Sequence, residues 1–164
     1  MIANRSYCTF RLNRLLVGIE VVYVQEVMGA RPITPVPLAD RAIRGLINLR
    51  GQIVLAVDLR RCLALADDGL PLASMSVVLR TPDGPVCLLV DEVLDIVDVL
   101  PSTMEAPPET LPSGLRSFTK GTYPLASGLL LALETDALVE ALEAGFSPGR
   151  QGQNSTSLRF QQKA

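Results

Sequence analysis

Histidine is missing from all 164 residues. Its absence removes the usual general base, the Ser–His and Cys–His nucleophile pairs, imidazole metal ligands and any phosphoacceptor histidine. Tryptophan is missing too, aromatic residues make up only 4%, and the formal net charge is −2 with a sequence pI near 5.2. A nucleic-acid-binding domain normally carries a basic stripe, and a single-strand binder adds stacking aromatics; neither is evident here. Lysine occurs only at Lys120 and Lys163, so almost every cation is an arginine. The planar fork of arginine suits fixed contacts better than lysine does, which leans toward a protein-binding surface.

Long apolar runs are also lacking. Although 48% of the residues are hydrophobic and the mean hydropathy is +0.31, the longest stretches are residues 53–57, 86–90 and 129–133. A spanning helix needs roughly 20 apolar residues, so direct membrane insertion is not expected, and runs of this length read as buried strands. Asn4 and Arg5 precede the first strand-like segment with no hydrophobic signal core, so a cytoplasmic location is expected. The three cysteines, Cys8, Cys62 and Cys87, form no CxxC pair, and each lies in or beside an apolar segment. They read as small core hydrophobes in a reducing compartment.

What is present is a succession of short strands. Residues 7–12 alternate, with Cys8, Phe10 and Leu12 on one face, and Asn13-Arg14 makes a turn into residues 15–19. Over residues 20–27 Val21, Val24 and Val27 fall at helical spacing, which predicts one or two short turns, weak by propensity because of the β-branched valines. Pro32, Pro35 and Pro37 predict an extended edge segment. Residues 45–49 and 52–58 form a hairpin around Arg50-Gly51, with a short helix over 59–65. Asp67, Asp68, Gly69 and Pro71 mark a break, so the chain is expected to cross between two lobes near 66–73. Residues 75–80 and 85–90 flank the turn Pro82-Asp83-Gly84, and 96–100 is a further strand ahead of the proline-rich stretch 101–112. Residues 121–125 and 128–133 form a last hairpin, and Thr135 is placed to cap a helix ending near Ala144 and Gly145. Residues 146–164 are too polar for a core and are expected to be a disordered tail.

The halves repeat each other. Residues 45–57 align without a gap on 121–133, and Val24-Gln25-Glu26-Val27 falls on Val93-Leu94-Asp95-Ile96. Two similar strand-rich units predict two small barrels related by a pseudo-twofold, closure managing the exposed edges of such short sheets.

The succession Val24-Gln25-Glu26-Val27, Pro35-Val36-Pro37, then Gly45-Leu46-Ile47-Asn48-Leu49-Arg50-Gly51-Gln52-Ile53-Val54 up to Val57-Asp58-Leu59-Arg60 resembles the CheW family, as does Val90-Asp91-Glu92-Val93. The resemblance spans about residues 7–143. It implies an all-β fold of two five-stranded SH3-like β-barrel subdomains with a few short helices and a groove between them. Residues 1–145 would be one domain, with subdomains of about 7–66 and 73–145 whose terminal strands are able to exchange. It further implies a non-catalytic adaptor. Its partners would be the cytoplasmic hairpin tip of chemoreceptors (methyl-accepting chemotaxis proteins) and the regulatory domain of a CheA-type histidine kinase, bound barrel against barrel. Carried over by position, Val24 and Glu26 match receptor-binding positions, and Arg50 matches a turn arginine that affects receptor coupling. Val24, in the short helix after Ile19, is the candidate for one wall of the groove. No cofactor or metal site is implied. Leu55-Ala56 stands where a Pro-hydrophobic pair is common and Cys87 where glycine is common. These departures leave room for a scaffold in a gliding, twitching or developmental pathway.

Read without the resemblance, Glu26 is equally a solvated residue of a short helix, and Arg50 an ordinary exposed turn residue. Asp58 and Asp91 each end an apolar strand and read more readily as caps of the following turns than as a catalytic carboxylate pair. Two other classes remain as alternatives: a small β-barrel nucleic-acid-binding module, which needs a basic, aromatic-lined surface, and a carboxylate enzyme, which needs a polar pocket holding two acids.

Overall fold

The structure is a computed structural model that describes residues 3–65 and 75–144. The expected tail 146–164, Gly145 and the segment 66–73 lie outside the described residues. The strands are β1 (Arg5–Leu12), β2 (Leu15–Glu20), β3 (Val24–Gly29), β4 (Ile43–Leu49), β5 (Gln52–Asp58), β6 (Met75–Leu79), β7 (Val86–Val90), β8 (Glu92–Val99), β9 (Thr119–Leu125) and β10 (Gly128–Leu133). Short helices α1 (Leu59–Cys62), α2 (Ser113–Arg116) and α3 (Thr135–Glu143) follow β5, the proline-rich stretch and β10. The strands form two five-stranded sheets, ordered β8-β1-β2-β10-β9 and β3-β6-β7-β5-β4.

Each sheet curls until its edges meet. Past Gly29 the chain leaves β3 through the prolines, and Thr34 exchanges two backbone hydrogen bonds of 2.9 Å with Leu46 on β4, the opposite edge. In the other sheet Glu105, downstream of β8, does the same with Thr122 on β9, at 2.8 and 2.9 Å. Leu46 and Thr122 are equivalent positions of the internal repeat, as are the glycines before them. A Cβ on Gly45 would lie 2.1 Å from the Thr34 carbonyl oxygen, and one on Gly121 would lie 3.0 Å from that of Glu105. Glycine stands in both places because the closing segment passes directly over the strand.

The equivalence extends to strand order: β3, β4 and β5 occupy the places of β8, β9 and β10, while β6–β7 occupies that of β1–β2. Sheet membership therefore does not follow the sequence halves. The first hairpin β1–β2 joins the C-terminal strands, and β6–β7 joins β3–β5. The crossings between barrels lie at the 3-10 turn Val21–Tyr23 and at Asp91, not near 66–73, since β5 and β6 belong to one sheet. Patterning alone does not choose a sheet for these hairpins, because their strands are apolar on both faces.

That double burial produces three cores. Met28, Ile47, Val54, Ala56, Val78 and Cys87 fill one barrel, and Tyr7, Val99, Tyr123, Leu130 and Ala132 fill the other. A larger core between them takes the alternate residues of the same strands, among them Phe10, Leu12, Val57, Leu79, Leu88, Leu131 and Leu133, with Leu59 and Leu138 from the helices. Strands flanked by core on both sides read as continuous apolar runs.

Three local expectations change. The valine-rich stretch makes only the single 3-10 turn Val21–Tyr23 before entering β3, so Val24 begins a strand rather than lying in a helix. The β-branched side chains prefer the pleated backbone. Helix α1 ends at Cys62, with Ala64 at φ +56° turning the chain away. Thr135 is the first residue of α3, and Glu134 occupies its cap position.

All three cysteines are buried, and burial pushes each thiol above its ordinary pKa. A thiol reagent that acts on thiolate at pH 8 is therefore expected to find essentially none in the native protein and all three after unfolding in urea. One fast-reacting thiol in the native state would overturn this placement.

Candidate functional site

The closing seam of the β3–β7 barrel brings two of the three sequence-predicted residues together. Arg50 and Gly51 have φ of +54° and +84°, the signature of a two-residue turn whose twist matches the flanking strands. The Asn48 side-chain oxygen accepts from the Gly51 amide at 2.8 Å and secures that turn. An arginine in the left-handed region is uncommon; here it aims the side chain across the seam. The guanidinium makes a two-point contact with Glu26 on β3, Nη1 to Oε2 at 2.5 Å and Nη2 to Oε1 at 2.7 Å. Fork-to-fork geometry of this kind fixes orientation as well as charge. The Arg50 side chain nonetheless stays 69% exposed, while Glu26 is 19% exposed. Arg50's hydrogen bonds hold the Glu26 carboxyl below the usual carboxylate range. The pair therefore contributes above the ordinary carboxylate pKa, and its contribution fades as pH falls through the depressed value.

Val24 lies on the same strand but has a different neighbourhood. The pairing of β3 with β6 slips between Val24 and Glu26, and this bulge re-aims the side chains on either side of it. Val24 is half-buried against the core between the barrels. Glu26 points at the hairpin tip.

Sequence reasoning passed over two further arginines. Arg80, after β6, donates from Nη1 to the carbonyls of Val22 (3.3 Å) and Val24 (2.8 Å), and its own amide donates to Tyr23 O at 2.9 Å. Arg60 in α1 is buried, and its Nε lies 3.4 Å from Asp91 Oδ1 and 4.0 Å from Asp58 Oδ1. Asp58 caps α1 by accepting from the Arg60 and Arg61 amides, and Asp91 Oδ2 accepts from the Asn13 amide at 2.7 Å. The two strand-end carboxylates are thus structural, joined through a guanidinium at the second barrel crossing. The Asp-Leu-Arg triplet after β5 was the available signal for Arg60; nothing in the sequence singles out Arg80.

A family model described as CheW-like domain matches residues 6–143. The chain belongs to the CheW-like family. It is 27% identical over 140 residues to the chemotaxis protein CheW of Rhizobium meliloti, covering 85% of this chain and 90% of that protein. It is 28% identical over 134 residues to the chemotaxis protein CheW of Thermotoga maritima, covering 82% and 87%. Among solved structures, the scaffolding protein CheW of Thermoanaerobacter tengcongensis superposes with a TM-score of 0.69 at 24% identity, over 81% of this chain and 84% of that one.

The departures of this CheW-like chain from the family pattern are absorbed by its cores. Ala56 and Cys87 are fully buried inside the β3–β7 barrel, and Leu55 packs on the central core. The alternatives lack their deciding features. Of the described aromatics, Tyr7, Phe10, Phe118 and Tyr123 are buried and Tyr23 is partly so, leaving no stacking platform among the described residues. Among them too, no helix is long and apolar enough to cross a membrane.

Proposed function

We propose that this chain is a non-catalytic adaptor that couples chemoreceptors to a CheA-type histidine kinase. Residues 1–145 act as one cytoplasmic unit, recruited to membrane receptor arrays, and no catalytic group is required. The receptor's hairpin tip meets the surface carrying Val24, Glu26 and Arg50, and the kinase's regulatory domain docks barrel against barrel. Kinship with proteins named chemotaxis protein CheW supports the role.

The observation that carries the site is the contrast between the barrels. Both close by the same device, yet the repeat equivalents of Glu26 and Arg50 are Asp95 and Ala126, and alanine makes no such ion pair. A barrel of this kind closes without it, so the exposed pair in the β3–β7 barrel is free to serve recognition. Rim charges of this sort govern partner choice and association rate.

Arg50→Glu should lower the melting temperature only slightly and abolish receptor-dependent control of the kinase in a reconstituted assay. The charge-swapped double variant Glu26→Arg with Arg50→Glu should regain the lost stability but not the control, because the partner reads the charge at each position. Restoration of both by the swap would reduce the pair to a pin on the hairpin.

A further inference from the structure

The first crossing between the barrels presents an apolar side chain on a backbone that cannot satisfy itself. Val21–Tyr23 is one 3-10 turn, closed by the Val24 amide donating to Val21 O. One turn leaves the following carbonyls without partners inside it. The carbonyls of Val22, Tyr23 and Val24, three in succession, all accept from the single residue Arg80. Arg80 follows Leu79, the partner of Val24 just before the pairing slips, so the guanidinium straps the crossing where the ladder is irregular. The displayed side chain is Val22, 73% exposed and two residues from Val24. A β-branched apolar residue held outward on a fixed backbone keeps little entropy to lose on binding.

We propose that Arg80 is a positioning residue for partner docking. By fixing the crossing, it presents Val22 to the apolar face of the receptor's helical hairpin, extending the Val24–Glu26–Arg50 surface toward the second barrel. The proposal rests on the receptor-binding reading above. A helix is the fitting occupant because a short apolar projection beside an exposed guanidinium matches an amphipathic face with an acid at its rim.

The test titrates a purified cytoplasmic hairpin-tip fragment of a chemoreceptor from the same cell onto the full chain by calorimetry, with Arg50→Glu as the control for the site itself. Arg80→Met keeps the aliphatic stem and removes the guanidinium donors; Val22→Ser removes the apolar contact without touching the core. Each should weaken receptor binding about tenfold, the scale of one lost charged hydrogen bond or one lost anchor. Arg80→Lys should fall between wild type and Arg80→Met. Binding of the kinase regulatory domain should be unchanged in Arg80→Met, while the Val24 amide exchanges faster with solvent. Unchanged receptor affinity in Val22→Ser and Arg80→Met, with binding lost in Arg50→Glu, overturns the positioning role and leaves the receptor site standing. Parallel loss of both partners and of melting temperature in Arg80→Met makes the strap merely structural and overturns it too. A wild-type chain that does not bind the fragment sinks the receptor reading, and this proposal with it.

Discussion

Replacing Gly45 by alanine is expected to destabilise the protein by about 3–4 kcal/mol, a large share of the roughly 5–15 kcal/mol that holds a domain together. The added Cβ would lie 2.1 Å from Thr34 O and 2.8 Å from both Thr34 C and Ile33 Cγ2, and backbone cannot rotate aside as a side chain does. The residue also sits at φ +144°, where a side chain adds about 1–3 kcal/mol of strain. Moving the closing segment away breaks the two hydrogen bonds between Thr34 and Leu46, at about 1 kcal/mol each. Gly121→Ala is the internal comparison. Its nearest neighbours are Met104 Cγ and Sδ at 2.5 Å, on a flexible side chain, with Glu105 O at 3.0 Å. About 1 kcal/mol is expected there, since methionine adapts. Urea unfolding of both variants measures the difference. Equal losses would mean that the Thr34 segment is not what makes Gly45 necessary.

The same two glycines show what the sequence made legible. The repeat put Gly45 on Gly121 and hairpin on hairpin, because turn residues and two-residue alternation are local signals. Asn13, Arg50-Gly51 and Pro82-Asp83-Gly84 all sit in or beside the hairpin turns they predicted. Partner choice was not legible. With Leu88 and Val90 facing the central core, and Cys87 and Leu89 facing a barrel interior, β7 satisfies its pattern in either sheet, and nothing local says that β1–β2 crosses to the C-terminal strands. Glu26 and Arg50 were found separately and not as a pair. They stand on strands at opposite edges of an open sheet order, and only closure brings them into contact. Val24 was misplaced in a helix because three valines at helical spacing outweighed the β-branched preference that the backbone follows.

Arg60→Met should cost about 3–5 kcal/mol, the range for removing one partner of a buried ion pair and stranding the other charge. Asp58 is 2% exposed and keeps the amides of Arg60 and Arg61, with Arg44 and Arg61 guanidinium nitrogens at 3.8 Å. Asp91 depends more on Arg60, whose Nε lies at 3.4 Å. Asp91 is also the one residue between β7 in one barrel and β8 in the other, and its carboxylate and amide both reach the β1–β2 hairpin, at Asn13 N and Arg11 O. The ion pair therefore fastens a crossing as well as filling a core. The discriminating variant is Arg60→Met combined with Asp91→Asn. Asparagine still accepts from the Asn13 amide but carries no stranded charge, so the double variant should be more stable than Arg60→Met alone. Strong coupling of this kind is expected for contacting residues and not for independent ones. Urea unfolding of the wild type, both single variants and the double variant closes the cycle. If the two losses simply add, Arg60 stabilises the crossing through the packing of its aliphatic stem, and the carboxylate contact carries none of it.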